Sequence, residues 1–498
     1  MNNEMKIGFD NEKYLKMQSE HIRQRIAQFG DKLYLEFGGK LFDDSHAARV
    51  LPGFEPDSKI RMLEKLKDSA EIIIAIHAGD IEHNKVRNDL DIAYDREVLR
   101  LTDAFRKKGL LVSGVVITRY NSQPAVDAFA EKLERLGVKV YLHYPINGYP
   151  QNPGLILSPE GFGKNQFVET TRPLVVVTAP GPGSGKLAVC LSQVYQEFTR
   201  GVRAGYAKFE TFPIWNLPLS HPVNLAYEAA TTDLDDVNLI DPFHLEAYGV
   251  TTTNYNRDVE SFPVLNMMFE HIYGTSPYKS PTDMGVNMVG FCITDDEVVR
   301  KAACQEIIRR YYSAACGYKR GIIGREQIDK AEFIMSRAGV TVADRPVVAA
   351  ALARDKETGG AAMAIQLPDG KMITGKNSTF MGAAAGALMN ALKALAGIQP
   401  DIDLIAPIVL QPIRELKTNY FGSENPRLHS DELLYALSIC ATMNPTAARA
   451  MHVLDQLKGL EAHSTVMLSR VDLEVYRRLG VNLTCEPQRK TNRLFDKN

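Results

Sequence analysis

Hydrophobic residues in the first half of the chain fall into short unbroken runs separated by longer amphipathic stretches. Residues 33–39, 71–76, 112–118, 138–143 and 173–178 are runs of this kind, rich in Val, Ile and Leu, and they predict strands, the most apolar of them buried on both faces. Between them, 57–68, 92–108 and 124–136 predict helices, the last ending at Gly137, a residue suited to a helix C-cap. A helix over 186–200 and a strand over 204–210 extend the alternation. Strands alternating with helices of this length predict parallel βαβ units and an α/β, doubly wound, mainly parallel sheet.

From about 283 to 345 the pattern turns helical, over 295–316 and 324–338. Residues 346–498 then predict a separate α/β unit. Its runs 361–367 and 371–374 flank Pro368-Asp369-Gly370, a hairpin signal. An alanine-rich helix over 381–396 follows, then a strand over 404–410, helices over 430–442 and 445–458, a strand over 464–468, and a closing helix and strand. A chain of 498 residues is long enough for several domains of ~100–200 residues. The pattern divides it into an α/β domain over 1–280, a helical segment over 281–345 and a C-terminal α/β domain over 346–498.

The chemistry concentrates after the fifth predicted strand. Pro180-Gly181-Pro182-Gly183-Ser184-Gly185-Lys186-Leu187 follows a buried run and opens a helix. Glycines let successive backbone N–H groups turn toward one anion, the helix N-terminus adds partial positive charge, and Lys186 supplies a full one. Gly181, Gly183, Ser184, Gly185 and Lys186 are therefore the candidate residues for holding a nucleotide's phosphates. Two positions depart from the P-loop pattern G-x-x-x-x-G-K-[ST]: Pro180 stands where the first glycine belongs, and Leu187 where the magnesium-binding hydroxyl belongs.

Further on, Lys208-Phe209-Glu210 closes the next strand, Pro213 to Pro222 are proline-rich, and Thr232-Asp233-Leu234-Asp235 follows. With Gly185-Lys186, these features resemble the P-loop amidoligases, CTP synthase in particular, across about 60 residues. The resemblance implies that Glu210 is a magnesium ligand. Residues 238–260 are dense in reactive side chains: Asp241, His244, Glu246, Tyr255, Asn256, Arg257, Asp258 and Glu260. Asp241, ending a short run, is a candidate magnesium or water-orienting residue; His244 is a candidate acid or base; Arg257 is a candidate phosphate or carboxylate clamp. A polar loop tied by its own salt bridges is the competing reading of this segment. The mixed loop His77-Ala78-Gly79-Asp80-Ile81-Glu82-His83-Asn84-Lys85 follows another buried run at the same edge of the sheet, and reads as a solvated loop more readily than as a ligand site.

In the C-terminal unit, Asp369-Gly370-Lys371 to Gly375, followed by Gly382-Ala383-Ala384-Ala385-Gly386, resembles the hairpin and helix of the cytidine-deaminase-like fold. Alanines stand where that fold carries its zinc ligand and catalytic glutamate, so a zinc-less version is implied. His244-Leu245-Glu246 spells the H-x-E half of a deaminase zinc motif, and no P-C-x-x-C partner occurs. Across nearly its full length, through 170–186, 207–218, 221–231 and 241–260, the chain resembles an uncharacterised bacterial family known as a domain of unknown function.

Composition narrows the function classes. Net charge is −2 and the sequence pI about 6.6, against the concentrated basic surface of a nucleic-acid binder. Arg106-Lys107-Lys108 and the basic residues 489–493 read as a helix end and a loose terminus. The cysteines at 190, 292, 304, 316, 440 and 485 form no C-x-x-C pair and read as scattered reduced thiols. The first residues lack an apolar signal core, so a cytoplasmic location is expected. The longest apolar stretch, 382–398, includes Asn390 and Lys393 and falls short of the ~20 residues of a membrane span.

These readings converge on an ATP- and magnesium-binding protein, an ATP-dependent ligase or phosphotransferase acting on a small molecule and assembling as a homo-oligomer, with no nucleic-acid or membrane partner. The alternative is a non-catalytic nucleotide sensor or scaffold. No structural zinc is expected. Elemental analysis of the purified chain should therefore find zinc far below one equivalent; a stoichiometric zinc ion would contradict the reading.

Overall fold

The run Ile72-Ile73-Ile74-Ala75-Ile76 has no polar face to offer water, so it is stable only with both faces covered. In the computed structural model, which describes residues 6–30, 32–87, 92–234 and 236–489, it lies inside a seven-stranded sheet. In chain order the strands are β1 (Leu33–Phe37), β2 (Ala70–His77), β3 (Leu111–Thr118), β4 (Val140–Leu142), β5 (Leu174–Thr178), β6 (Gly205–Phe209) and, after a separate antiparallel pair β7 (Asn238–Ile240) and β8 (Thr253–Tyr255), β9 (Gly285–Val286). The sheet order is β9-β6-β1-β5-β2-β3-β4, and every pairing in it is parallel.

Two compact units divide the chain. One holds residues 7–227 and 236–300; the other is built chiefly from residue 301 onward, the break falling inside the helix Asp296–Arg320. In the first unit the chain runs outward from β2 to β3 and β4 through the helices Tyr94–Lys107 and Pro124–Arg135, the second stopped at Gly137 with φ +70. It then returns to lay β5 between β1 and β2, and leaves through the helix Lys186–Thr199 to place β6 on the far side of β1. That reversal is a topological switch point, and it opens a crevice beyond the carboxyl ends of β1, β5 and β2.

The helix Asn11–Gln28 was not legible in the sequence pattern. It is capped by Asp10, whose carboxylate accepts the Lys13 N–H at 2.9 Å, and it buries Tyr14, Leu15, Gln18, Ser19, Ile22 and Ile26 along one stripe. Its polar members hid the stripe. Gln18 is buried because its amide does the work of a strand: it donates to the Val286 carbonyl at 2.7 Å and accepts the Met288 N–H at 2.8 Å, securing the edge strand β9.

The second unit holds a four-stranded sheet of β10 (Ala362–Gln366), β11 (Met372–Lys376), β12 (Glu461–Ser464) and β13 (Asn482–Cys485), in the order β11-β10-β12-β13. The β10–β11 hairpin turns at Gly370, with φ +84. β10 and β12 are antiparallel, and β12 and β13 are parallel with the helix Arg470–Arg478 between them in the chain. The helix Ala383–Leu395 lies on the hairpin so closely that a Cβ on Gly375 would collide with the backbone of Gly386 and Ala387.

The expected strand over 404–410 is instead part of the helix Pro407–Glu415. Pro407 takes the first helical turn, where its missing N–H costs nothing, and it leaves Leu404 and Ile405 as buried loop anchors. The expected strand over 464–468 pairs earlier, over Glu461–Ser464, because its inward residues include His463 and Ser464, which carry no apolar signal. The helix expected over 445–458 breaks into Pro445–His452 and a short 3-10 turn at Leu454–Leu457. Arg345 explains the polarity of β12 and β13. It is fully buried, and it donates to the Thr484 hydroxyl at 3.0 Å and to the carbonyls of Ala462 and Asn482 at 3.1 and 2.8 Å, while pairing with Glu461. Each of these acceptors is satisfied by one planar fork of donors.

Two outcomes follow for stability. Gly375→Ala should cost ~1–3 kcal/mol in denaturant unfolding, because the helix must shift to admit a methyl group; a neutral substitution would contradict the close approach. The second concerns Asp472. Burial alone would raise its carboxyl, but hydrogen bonds from His429 Nδ1 at 2.8 Å and from the Ser430 N–H and hydroxyl, each at 2.8 Å, outweigh it and hold it at about 2. Because the folded value lies below the ordinary ~3.9, this contribution is complete above about pH 4 and is lost as pH falls toward 2. Asp472→Asn should flatten that limb of the acid-unfolding curve, and an unchanged limb would contradict the assignment.

Candidate functional site

The site grows from β5. All five of its residues are buried, and it ends at Thr178, so the chain emerges from the core directly into the glycine loop. Three local constraints shape that loop. Gly183 and Gly185 have φ of +78 and +85, a region that side chains disfavour. Gly181 faces the Tyr94 hydroxyl, which leaves no room for a Cβ. Ser184 is fully buried, donating from its hydroxyl to the Gly181 carbonyl at 2.9 Å while its own carbonyl accepts the Thr118 hydroxyl at 2.9 Å. Ser184 therefore braces the loop from inside.

Its backbone donors remain open. Among the described residues, the N–H groups of Gly183, Ser184, Gly185 and Lys186 donate no hydrogen bond. The Lys186 ammonium, at the first position of the helix Lys186–Thr199, likewise makes no hydrogen bond or ion pair among the described residues. Burial pushes its pKa down; Glu36 opposes that, and Lys208 and Arg257 add to it. A partly buried cation beside unoccupied N–H donors leaves a positive charge that no hydrogen bond or ion pair among the described residues meets.

Next to it lies an ionic cluster on β1 and β6. Glu36 and Lys208 are in-register partners on these neighbouring strands. Glu36 accepts the Tyr206 hydroxyl at 2.8 Å. Lys208 reaches Glu210 at 2.8 Å and Asp258 at 2.5 Å and also contacts the Tyr255 hydroxyl, which in turn donates to Glu210 at 2.8 Å. Burial acts against the Lys208 charge, but Asp258, Glu210 and Glu36 outweigh it and raise its pKa. Glu210 is pushed up to about 7, by burial first and by Asp258, with Lys208 opposing. Its second oxygen, Oε2, makes no hydrogen bond among the described residues.

The remaining candidates sort by position. Arg257 sits beside this cluster, over the Tyr255 ring at 5.8 Å, and is paired with Asp236 at 2.8 Å. Asp241 and His244 are bound up elsewhere. β7 and β8 form their own ribbon, so Asp241 does not end a strand of the main sheet. It caps the helix Pro242–Tyr248, accepting the His244 N–H at 3.0 Å on one oxygen and the Thr282 N–H and hydroxyl at 3.1 and 2.6 Å on the other. Capping leaves this fully buried carboxylate little capacity for a metal. His244 Nδ1 is 2.8 Å from the Ser280 hydroxyl, and its ring packs against Tyr248. The 77–85 segment touches the site through Lys85, 4.9 Å from the centre of the Tyr94 ring. Among the described residues, no group of three or more His, Cys, Asp or Glu side chains is placed to hold a metal ion.

Glu36, Thr118 and Tyr94 were missed by the sequence reading, and Lys208, Tyr255 and Asp258 were noted without a role. One signal was available for Glu36, a charge within the buried run Leu33-Tyr34-Leu35-Glu36-Phe37. Thr118 and Tyr94 act through tertiary contacts that no local pattern announces. Among the described residues, no helix is long and apolar enough to cross a membrane.

Comparison with known proteins places this architecture. Residues 7–339 match the model described as "Domain of unknown function DUF1846, N-terminal", and residues 343–495 match "Domain of unknown function DUF1846, C-terminal". A UPF0371 protein of Streptococcus thermophilus (strain ATCC BAA-491 / LMD-9) is 58% identical over 492 residues, covering 99% of this chain and 100% of the relative. A UPF0371 protein of Streptococcus pneumoniae serotype 4 (strain ATCC BAA-334 / TIGR4) is equally similar, at 58% over 492 residues and with the same coverage of both chains. The chain belongs to the DUF1846 family and carries both its N-terminal and its C-terminal domain.

Proposed function

We propose that the chain binds a nucleotide, ATP or a close relative, with its phosphates on the 181–186 loop, and uses it as an ATP-dependent ligase or phosphotransferase toward a small molecule. The observation that carries this reading is the pairing of an unpartnered Lys186 ammonium with open N–H groups on Gly183, Ser184, Gly185 and Lys186 at the switch point of a parallel sheet. An anionic group there would satisfy all of these donors at once. In this reading Lys186 neutralises the phosphates, and Lys208 and Arg257 set the field beside it. Glu210, whose Oε2 makes no hydrogen bond among the described residues, would hold a magnesium ion, which would offset phosphate charge, and Asp241 supports the fold instead. Catalysis is then positioning together with stabilisation of charge on the transferred phosphoryl group.

One observation favours a second reading, a nucleotide sensor without turnover. Leu187 replaces the hydroxyl that would bind magnesium, and Asp241 is committed to its helix cap. The two readings share the binding site and differ in whether nucleotide is consumed.

Thermal unfolding tests the shared part. Magnesium-ATP should raise the unfolding midpoint by a few degrees, since a ligand at a hundredfold excess over its Kd stabilises the folded state by ~2.7 kcal/mol. Lys186→Ala should remove most of the shift, and Glu210→Ala should weaken the magnesium dependence more than the effect of free nucleotide. Because Glu210 carries its charge above about pH 7, the magnesium-dependent part should grow as pH rises through that value. No shift at millimolar nucleotide, or a Lys186→Ala response equal to the parent's, would reduce the loop to a turn.

A further inference from the structure

The C-terminal unit carries an apolar surface that no part of the chain covers among the described residues. The helix Pro407–Glu415 continues as a π-helical turn, Leu416–Tyr420, and packs beside the helix Ser430–Ala441, the two tied by Lys417 and Glu432 at 2.7 Å. Along the first, Ile408, Pro412, Leu416 and Tyr420 recur every fourth residue, and all four are exposed. Along the second, Tyr435 and Ile439 recur at the same spacing and are also exposed, and exposed Met443 follows two residues past the helix end. Residues four apart share one face of an α-helix, so Ile408 with Pro412, and Tyr435 with Ile439, each form an apolar ridge, with Leu416, Tyr420 and Met443 exposed beyond their ends. Their exposure is high: 81% for Ile408 and Tyr420, 70% for Tyr435 and 86% for Met443, with the neighbouring Phe421 at 75%.

The area decides what can cover them. Scaled by these exposures, the side chains present roughly 500–900 Å² of apolar surface. The largest apolar patch on an ordinary monomer is ~300–600 Å². A stable interface buries ~800 Å² per partner, of which ~60% is apolar. The two ridges together therefore hold enough apolar surface for a complete subunit interface. Their composition of Tyr, Phe, Ile and Met without Lys, Glu or Asp on either ridge matches the core of such an interface. The area also fits the occupant, since a second copy supplies a matching apolar surface of the same size. Two identical copies meeting here bring no like charges together, and each copy's ridges fit between the other's in the crossing that rows of i and i+4 residues favour.

We propose that these two ridges form a two-fold symmetric interface through which two copies of the chain associate. Sedimentation equilibrium of the full chain reads this directly. The parent should have twice the 55.4 kDa mass of one chain. Tyr435→Glu with Met443→Glu should halve it, and Tyr420→Glu, on the other ridge, should do so separately. Because these positions are exposed, far-UV circular dichroism and the unfolding midpoint of the variant monomers should resemble the parent's. Ile322→Glu, at a site 72% exposed and outside both ridges, should leave the dimer intact. A monomeric parent, a dimer that survives both ridge variants, or one broken equally by Ile322→Glu would overturn the proposal.

Discussion

The return of β5 to the centre of the sheet is the constraint on which the N-terminal unit depends. A strand whose five residues are all buried must have neighbours on both sides and cover on both faces, and β1 and β2 provide the neighbours. Once it lies there, its carboxyl end opens into the crevice between two other strand ends, and the following residues must turn sharply to start a helix. Positive φ at Gly183 and Gly185, the missing Cβ at Gly181 and the buried Ser184 brace are consequences of that turn. The open N–H groups follow as well, because a helix that starts at Lys186 cannot satisfy its own first donors.

Charge at the crevice is arranged around the same strands. Glu36 and Lys208 face one another in register, and Lys208 is held between Glu210 and Asp258. A buried ammonium between two carboxylates is expensive to desolvate, and removing one partner leaves the others unpaired. The cluster is therefore rigid by necessity, and one charge near it, on Lys186, lacks a protein partner among the described residues. That asymmetry sets Lys186 apart from Lys208, whose charge is paired within the protein.

Much of this was legible in the sequence where a single physical signal dominated. Strands buried on both faces announced themselves as unbroken Val and Ile runs, and Gly183 and Gly185 marked the turn because few other residues adopt its backbone. Where two signals competed, the pattern misled. Leu404 to Leu410 looks like a strand by hydropathy, but Pro407 makes it the start of a helix. His463 and Ser464 sit in a buried strand whose polarity is repaid by Thr484 and Arg345, partners distant in the chain. Local motifs singled out Lys186, Glu210 and Arg257, which the structure brings near Lys208. Asp241 and His244 belong to the same polar segment, but the β7–β8 ribbon turns them into a helix cap and its neighbour. Glu36 reaches the site through strand pairing and Thr118 through a hydrogen bond to the Ser184 carbonyl, which composition and spacing do not encode.

The central claim is that the 181–186 loop holds the phosphates of a nucleotide. A crystal structure of the chain grown with magnesium and a non-hydrolysable ATP analogue tests it most directly. The account predicts phosphate density within hydrogen-bonding distance of the Gly183, Ser184, Gly185 and Lys186 N–H groups, with the Lys186 ammonium turned onto it. Analogue density seated elsewhere, or an empty loop at saturating analogue, would contradict it.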